Sequence, residues 1–275
     1  MSSLSSLLKA MRRPFGKPGL GQEVPCPVCK TPAAHLDSVD FNKTCEELRG
    51  LKLATSGVLV RYYLCGRCGF CFAPEFSSWT FRDFEERIYN GDYATVDPDY
   101  RLARPKSNAE LLAKTFDGTK IRHMDYGGGS GLLSETLRAK GWDSHTYDPF
   151  VDRSIRVAQL GRFDLVTAFE VFEHVPDIGA LFEDLQALVE PNGLILFSTL
   201  LSDGEIRPGE PLRWWYASPR NGHISLFSKE SLSLCMTQQG FKFASASANL
   251  HIAHRQIPAW ASHILAPIPA PAAAR

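Results

Sequence analysis

Apolar and polar positions alternate along the chain in short stretches whose order is informative. Val58 to Leu64 (Val-Leu-Val-Arg-Tyr-Tyr-Leu) is rich in β-branched and aromatic residues and predicts a strand. Phe81, Phe84 and Ile88, ending at Tyr89, recur at helical spacing, and Asn90-Gly91-Asp92 then marks a turn. Leu111, Leu112 and Phe116 predict a helix from Ser107 to Phe116, capped by Ser107 or Asn108. Lys120 to Asp125 reads as a strand, Leu132 to Leu137 as a helix and Trp142 to Tyr147 as a second strand. Strand, turn, helix and strand in that order make a βαβ unit.

Composition changes this picture mainly at the ends. The 275 residues are 44% hydrophobic and 22% charged, ordinary values for a globular protein with a sizeable core. Residues 1–23 are Ser-rich, carry Lys9, Arg12, Arg13 and Lys17, and lack both a secretory apolar region and a cleavage site. They are expected to be a flexible arm, and the protein to be cytoplasmic. Pro-rich residues 263–275 are expected to be a flexible tail. Thirty basic residues balance thirty acidic ones, so no global field recruits a polyanion, which argues against nucleic acid as partner. No apolar run approaches the roughly 18 residues of a membrane span.

Four of the seven cysteines form two short pairs, Cys26-Pro-Val-Cys29 and Cys65-Gly-Arg-Cys68. This spacing lets one tight turn present two thiolates to one ion, so two such turns predict a structural Zn2+ site. Cys71, Cys45 and His35 lie close enough in sequence to leave the ligand set open. A redox role would instead need one pair beside a βαβ unit. The module, residues 24–75, is too small to hold itself together without the ion.

The second candidate site follows Asp125: Tyr126-Gly127-Gly128-Gly129-Ser130-Gly131 joins the first strand of the βαβ unit to its helix. Gly127, Gly129 and Gly131 permit close approach of backbone to a ligand, and Asp148, 23 positions after Asp125, can accept both hydroxyls of a ribose. Dinucleotide sites space their glycines G-x-G-x-x-G to take a pyrophosphate; the order here suits a ligand without phosphates. These motifs resemble those of the class I S-adenosylmethionine-dependent methyltransferases. The resemblance covers about residues 85 to 245, with Phe163 to Asp177 similar to that family's fourth strand and following loop, Leu181 to Leu188 to the next helix, and Leu188 to Thr199 to the fifth strand.

The resemblance implies a Rossmann-like α/β sheet with helices on both faces over residues 119–262, preceded by a helical linker or lid over 76–118. It implies S-adenosyl-L-methionine as cofactor, held by Asp125, Gly127, Gly129, Gly131 and Asp148, with Phe169 and Glu170 beside it. Asp148 to Phe163 leaves little room for the usual helix and third strand.

Methyl transfer needs alignment and, for a weakly acidic acceptor, removal of a proton. His223 and His174 are the candidate catalytic bases, and Tyr89, Tyr93, Trp215 and Tyr216 the candidate lid or substrate wall. The expected reaction is methylation of a small-molecule acceptor on oxygen or carbon. A sugar-like acceptor is one option, because sugar C-methyltransferases carry a similar cysteine module. The alternatives are an RNA methyltransferase gripping RNA through the zinc module, and a non-catalytic zinc-bearing interaction protein.

Overall fold

The computed structural model describes residues 23–265; residues 1–22 of the expected arm and 266–275 of the expected tail lie outside the described residues. Residues 263–265, assigned above to the tail, instead end a 3-10 helix, Ala259–Leu265, and His263 Nε2 donates to the Thr115 carbonyl over 2.6 Å.

One sheet is antiparallel, with strands β1 (Val24–Pro25), β2 (Pro32–Asp40), β3 (Leu59–Leu64) and β4 (Cys71–Phe72) paired in sequence order. Its fifth strand, β9 (Ser225–Leu226), comes from far along the chain and pairs Cys71 with Leu226 and Phe72 with Ser225. Next come α1 (Phe81–Arg87), α2 (Tyr93–Val96) and α3 (Ala103–Thr115). Thr80 caps α1 through a reciprocal capping box with Asp83. The third helix begins four residues before the expected Ser107, because Pro105 falls in the first turn, where its missing N–H is not needed.

The second sheet carries the βαβ unit: β5 (Arg122–Tyr126), α4 (Leu132–Arg138) and β6 (Asp143–Tyr147), followed by β7 (Phe163–Phe169), α5 (Ile178–Leu188), β8 (Val189–Ser198), α6 (Lys229–Gln238), β10 (Lys242–Ser245) and β11 (Leu250–His254). The strand order is β10-β11-β8-β7-β5-β6, with β6, β5, β7 and β8 parallel and β10 and β11 antiparallel. Its central strands are buried on both sides, as a parallel sheet must be. Leu165, Leu194 and Leu196 face α3 and α4, while Val166, Ala168, Ile195 and Phe197 face α5 and α6. Between β6 and β7 there is a single 3-10 turn, Val157–Gln159, and no strand, so β6 is the edge. Among the described residues no helix is long and apolar enough to cross a membrane.

Candidate functional site

The two cysteine turns are built alike. Cys26 N–H donates to the Thr31 carbonyl and Cys65 N–H to the Phe70 carbonyl, each over 2.9 Å; Lys30 and Gly69, each four residues after the first cysteine, take positive φ of 62° and 69°. The turns face each other: Cys26 Sγ lies 3.7 Å from Cys68 Sγ, Cys29 Sγ 3.4 Å from Cys65 Sγ, and all four sulfurs fall within 4.8 Å. A tetrahedron with metal–sulfur bonds of about 2.3 Å has edges of roughly 3.8 Å, so the cluster fits a single ion. All four are free thiols and three are fully buried. Cys71 lies apart in β4, Cys45 lies beside His223, and His35 donates to or accepts from Ser38, so none joins the cluster.

The glycine loop sits at the C-terminal end of β5, where open α/β sheets place ligands. Gly128 is the tightest position: an added Cβ would fall 2.2 Å from Thr146 Oγ1 and 2.6 Å from Asp125 Oδ2. Gly129 has φ +54° with open space where its Cβ would be. Asp148 Oδ2 accepts the Gly129 N–H over 2.9 Å and Oδ1 the Phe150 N–H over 2.8 Å; each oxygen keeps a lone pair for a hydroxyl.

Beneath the loop runs a buried polar chain. Ser144 Oγ meets His123 Nδ1 at 2.8 Å, His123 Nε2 meets Thr167 Oγ1 at 2.9 Å, and Thr167 Oγ1 donates to Asp125 Oδ1 over 2.7 Å. Burial pushes His123 down to about 3, so it stays neutral; burial, with Asp148 nearby, pushes the Asp125 carboxyl up to about 7.

Phe169 and Glu170 close β7 opposite Ser198 of β8. Among the described residues Glu170 is one of two non-glycine residues with positive φ, at 53°, and is pinned by Ser198, whose hydroxyl donates to Glu170 Oε1 over 2.6 Å and accepts the Glu170 N–H over 2.8 Å.

The next turn of chain brings Glu173 and His174 against His223. The two imidazole centroids are 4.9 Å apart, and Tyr216 OH donates to Glu173 Oε1 over 2.6 Å. Burial drives His174 down to about 4, holds His223 well below the usual imidazole range, and drives Glu173 far above the usual carboxylate range. The tyrosines occupy different places. Tyr89 lies among Phe150, Tyr93 and His174, with centroids 5.1, 5.1 and 6.2 Å away, and feels the charge of Asp148. Tyr93 is buried, its OH donating to the Asn221 carbonyl over 3.3 Å. Tyr216 is buried as the support of Glu173, while Trp215 is half-buried at its edge.

Sequence reasoning did not single out Glu173, Gly128 or the His123–Thr167 chain as groups of the site. Glu173 adjoins His174 in the chain, but its tyrosine partner is 43 positions away and leaves no local signal.

The family profile described as "Methyltransferase domain" matches residues 100–246. The chain is similar to the ubiquinone biosynthesis O-methyltransferase of Bordetella avium (strain 197N), 31% identical over 113 residues, 32% of this chain and 46% of that protein. It is similar also to the ubiquinone biosynthesis O-methyltransferase of Azorhizobium caulinodans, 36% identical over 102 residues, 29% of this chain and 40% of that protein. The chain spans about half the length of the curated relatives it matches. Among solved structures it is similar to human N-acetylserotonin methyltransferase in complex with SAM, at 15% identity, covering 66% of this chain and 63% of that chain with a TM-score of 0.43. The profile takes in the glycine loop, Asp148 and the turn after β7, and by it the chain belongs to the class I S-adenosylmethionine-dependent methyltransferases.

Proposed function

We propose that this chain transfers a methyl group from S-adenosyl-L-methionine to the oxygen or carbon of a small-molecule acceptor at the C-terminal edge of the six-stranded sheet. The observation that carries the reading is the joint placement of Asp148 and Gly129 at the end of parallel strands, with carboxylate and loop backbone held 2.9 Å apart. The relatives' names favour oxygen over carbon.

S-adenosylmethionine, when bound, supplies a methyl group activated by a sulfonium. The chain's own residues do the rest. Asp148 takes the ribose hydroxyls, and the backbone of Gly127, Gly129 and Gly131 lines the methionine end, with Phe169 and Glu170 beside it. Asp125, set by Thr167, supports the loop from below. Tyr89, with Tyr93 behind it, covers the region between Asp148 and His174, and Trp215 and Tyr216 border the acceptor side. His174 and His223 govern the acceptor's proton. Cys26, Cys29, Cys65 and Cys68 hold a structural zinc ion; four protein ligands leave that ion no position for chemistry.

Calorimetric titration with S-adenosylmethionine and, separately, NAD tests the reading. Micromolar binding of the first alone, weakened at least tenfold in Asp148→Ala, is expected; absence of S-adenosylmethionine binding overturns it.

A further inference from the structure

We propose that Glu173, His174 and His223 form a second metal site, for a divalent first-row transition-metal ion, distinct from the four-cysteine cluster. Each residue offers a ligand atom, and the three atoms all lie within 4.8 Å of one another. Glu173 is fully buried, yet its Oε2 has no hydrogen-bond partner, and the same holds for His174 Nδ1 and for the neighbouring Thr199 hydroxyl. Buried polar atoms are nearly always paired, so an unpartnered carboxylate oxygen on fully buried Glu173, in a group with two imidazoles, points to a missing ligand.

The surroundings orient these groups as metal ligands are oriented. His223 Nδ1 lies 2.8 Å from the Tyr216 carbonyl. A carbonyl can only accept, so Nδ1 carries the proton and Nε2 presents its lone pair. Tyr216 OH holds the other oxygen of Glu173, leaving Oε2 free. Cys45 Sγ is 3.6 Å from His223 Nδ1, on the protonated side of the ring, which keeps sulfur out of the set. Space beside His174 depends on Gly222, with φ +90°, where an added Cβ would come within 3.0 Å of His174 Nδ1 and 3.3 Å of the Tyr89 hydroxyl.

Two neutral imidazoles and one carboxylate suit manganese, iron, cobalt or zinc and leave coordination positions open. A consequence, which rests on the methyl-transfer reading, is that the ion binds the acceptor through a hydroxyl or phenol oxygen. The O–H proton is then lost to water, the oxygen forms a bond to the methyl carbon, and the carbon–sulfur bond breaks with its electron pair passing to sulfur. The histidines would act on the acceptor's proton through the ion.

The full chain, dialysed against micromolar zinc and freed of loosely held metal, is assayed for zinc by elemental analysis. Two equivalents are expected, falling to one in His223→Gln and in Glu173→Gln, with two retained in Asp148→Ala. Cobalt exchanged into the weaker site should show ligand-field bands without sulfur-to-cobalt charge transfer. A single equivalent in the wild-type chain with zinc, cobalt and manganese alike, or thiolate absorption from both cobalt sites, overturns the proposal without reliance on any variant's folding. Calorimetry with S-adenosylmethionine on the same preparation separates the two readings, since either metal or cofactor can bind without the other.

Discussion

Glu170 has a backbone conformation that L side chains rarely adopt, and non-glycine residues held there store on the order of 1–3 kcal/mol of strain. Ser198 holds it by two hydrogen bonds, so the strain is maintained at the place where the cofactor and acceptor would meet. Glu170→Gly is expected to leave thermal stability unchanged or raised by about 1 kcal/mol while turnover falls by about an order of magnitude, as melting curves and methyl-transfer assays would show. Asp125 gives a pH dependence of definite sign. Its carboxyl titrates near 7 when folded, above its ordinary value, so it is increasingly protonated as pH falls below 7. A cationic cofactor favours the ionised form; affinity for S-adenosylmethionine should weaken as pH falls from about 8 to about 6, by at most about tenfold per unit below 7. Calorimetry across that range should show the slope in the wild-type chain and a flatter one in Asp125→Asn. Neither Glu170's strain nor Asp125's shift was legible in the sequence, since the first is held by Ser198 of β8 and the second comes from burial within the folded sheet, with Asp148 nearby.

At the scale of elements, the stretches written in a local code were the readable ones. Strand β3, the βαβ unit and α5 announce themselves by periodicity and by glycine placement. The start of α3 was misplaced because Ser107 looked like a cap, whereas the helix starts at Ala103 and takes Pro105 into its first turn, where proline is tolerated. The lone 3-10 turn between β6 and β7 agrees with the short spacing from Asp148 to Phe163. Strand β9, two residues long, has no signature of its own and exists only because Cys71 and Phe72 offer it an edge. That pairing connects the cysteine turns to the segment that carries His223: Ser228 Oγ donates to the Cys68 carbonyl, and Tyr62 OH donates to the His223 carbonyl over 2.6 Å. If the cysteine cluster holds zinc as proposed, Cys29→Ser should therefore lower the melting temperature by several degrees and also reduce methyl transfer. Loss of stability with full retained activity in the surviving folded fraction would contradict this coupling.

Over the whole molecule, the boundaries drawn from composition describe stretches of chain better than separable bodies. Cys26, Cys65, Phe70 and Phe72 share one apolar cluster with Phe172, Phe197 and Phe227, and the Phe70 ring packs tilted against that of Phe227, centroids 4.7 Å apart. A second cluster joins Val60, Tyr62 and Phe76 to Trp214, Tyr216 and Leu226. A chain lacking residues 1–75 should thus expose both clusters and fail to bind S-adenosylmethionine, while the intact chain should unfold in one transition by calorimetry and by tryptophan fluorescence. The general type of fold could be read from order alone; its joining into one body could not, because the contacts that do it lie more than a hundred positions apart. The two-residue strand at 225–226 has a consequence for descent as well. Since the segment that aims His223 is stitched into the N-terminal sheet, exchange of that module between related proteins would also re-aim the histidine, so new acceptor preferences in such a lineage should arise by paired substitutions across the seam rather than by shuffling of interchangeable parts.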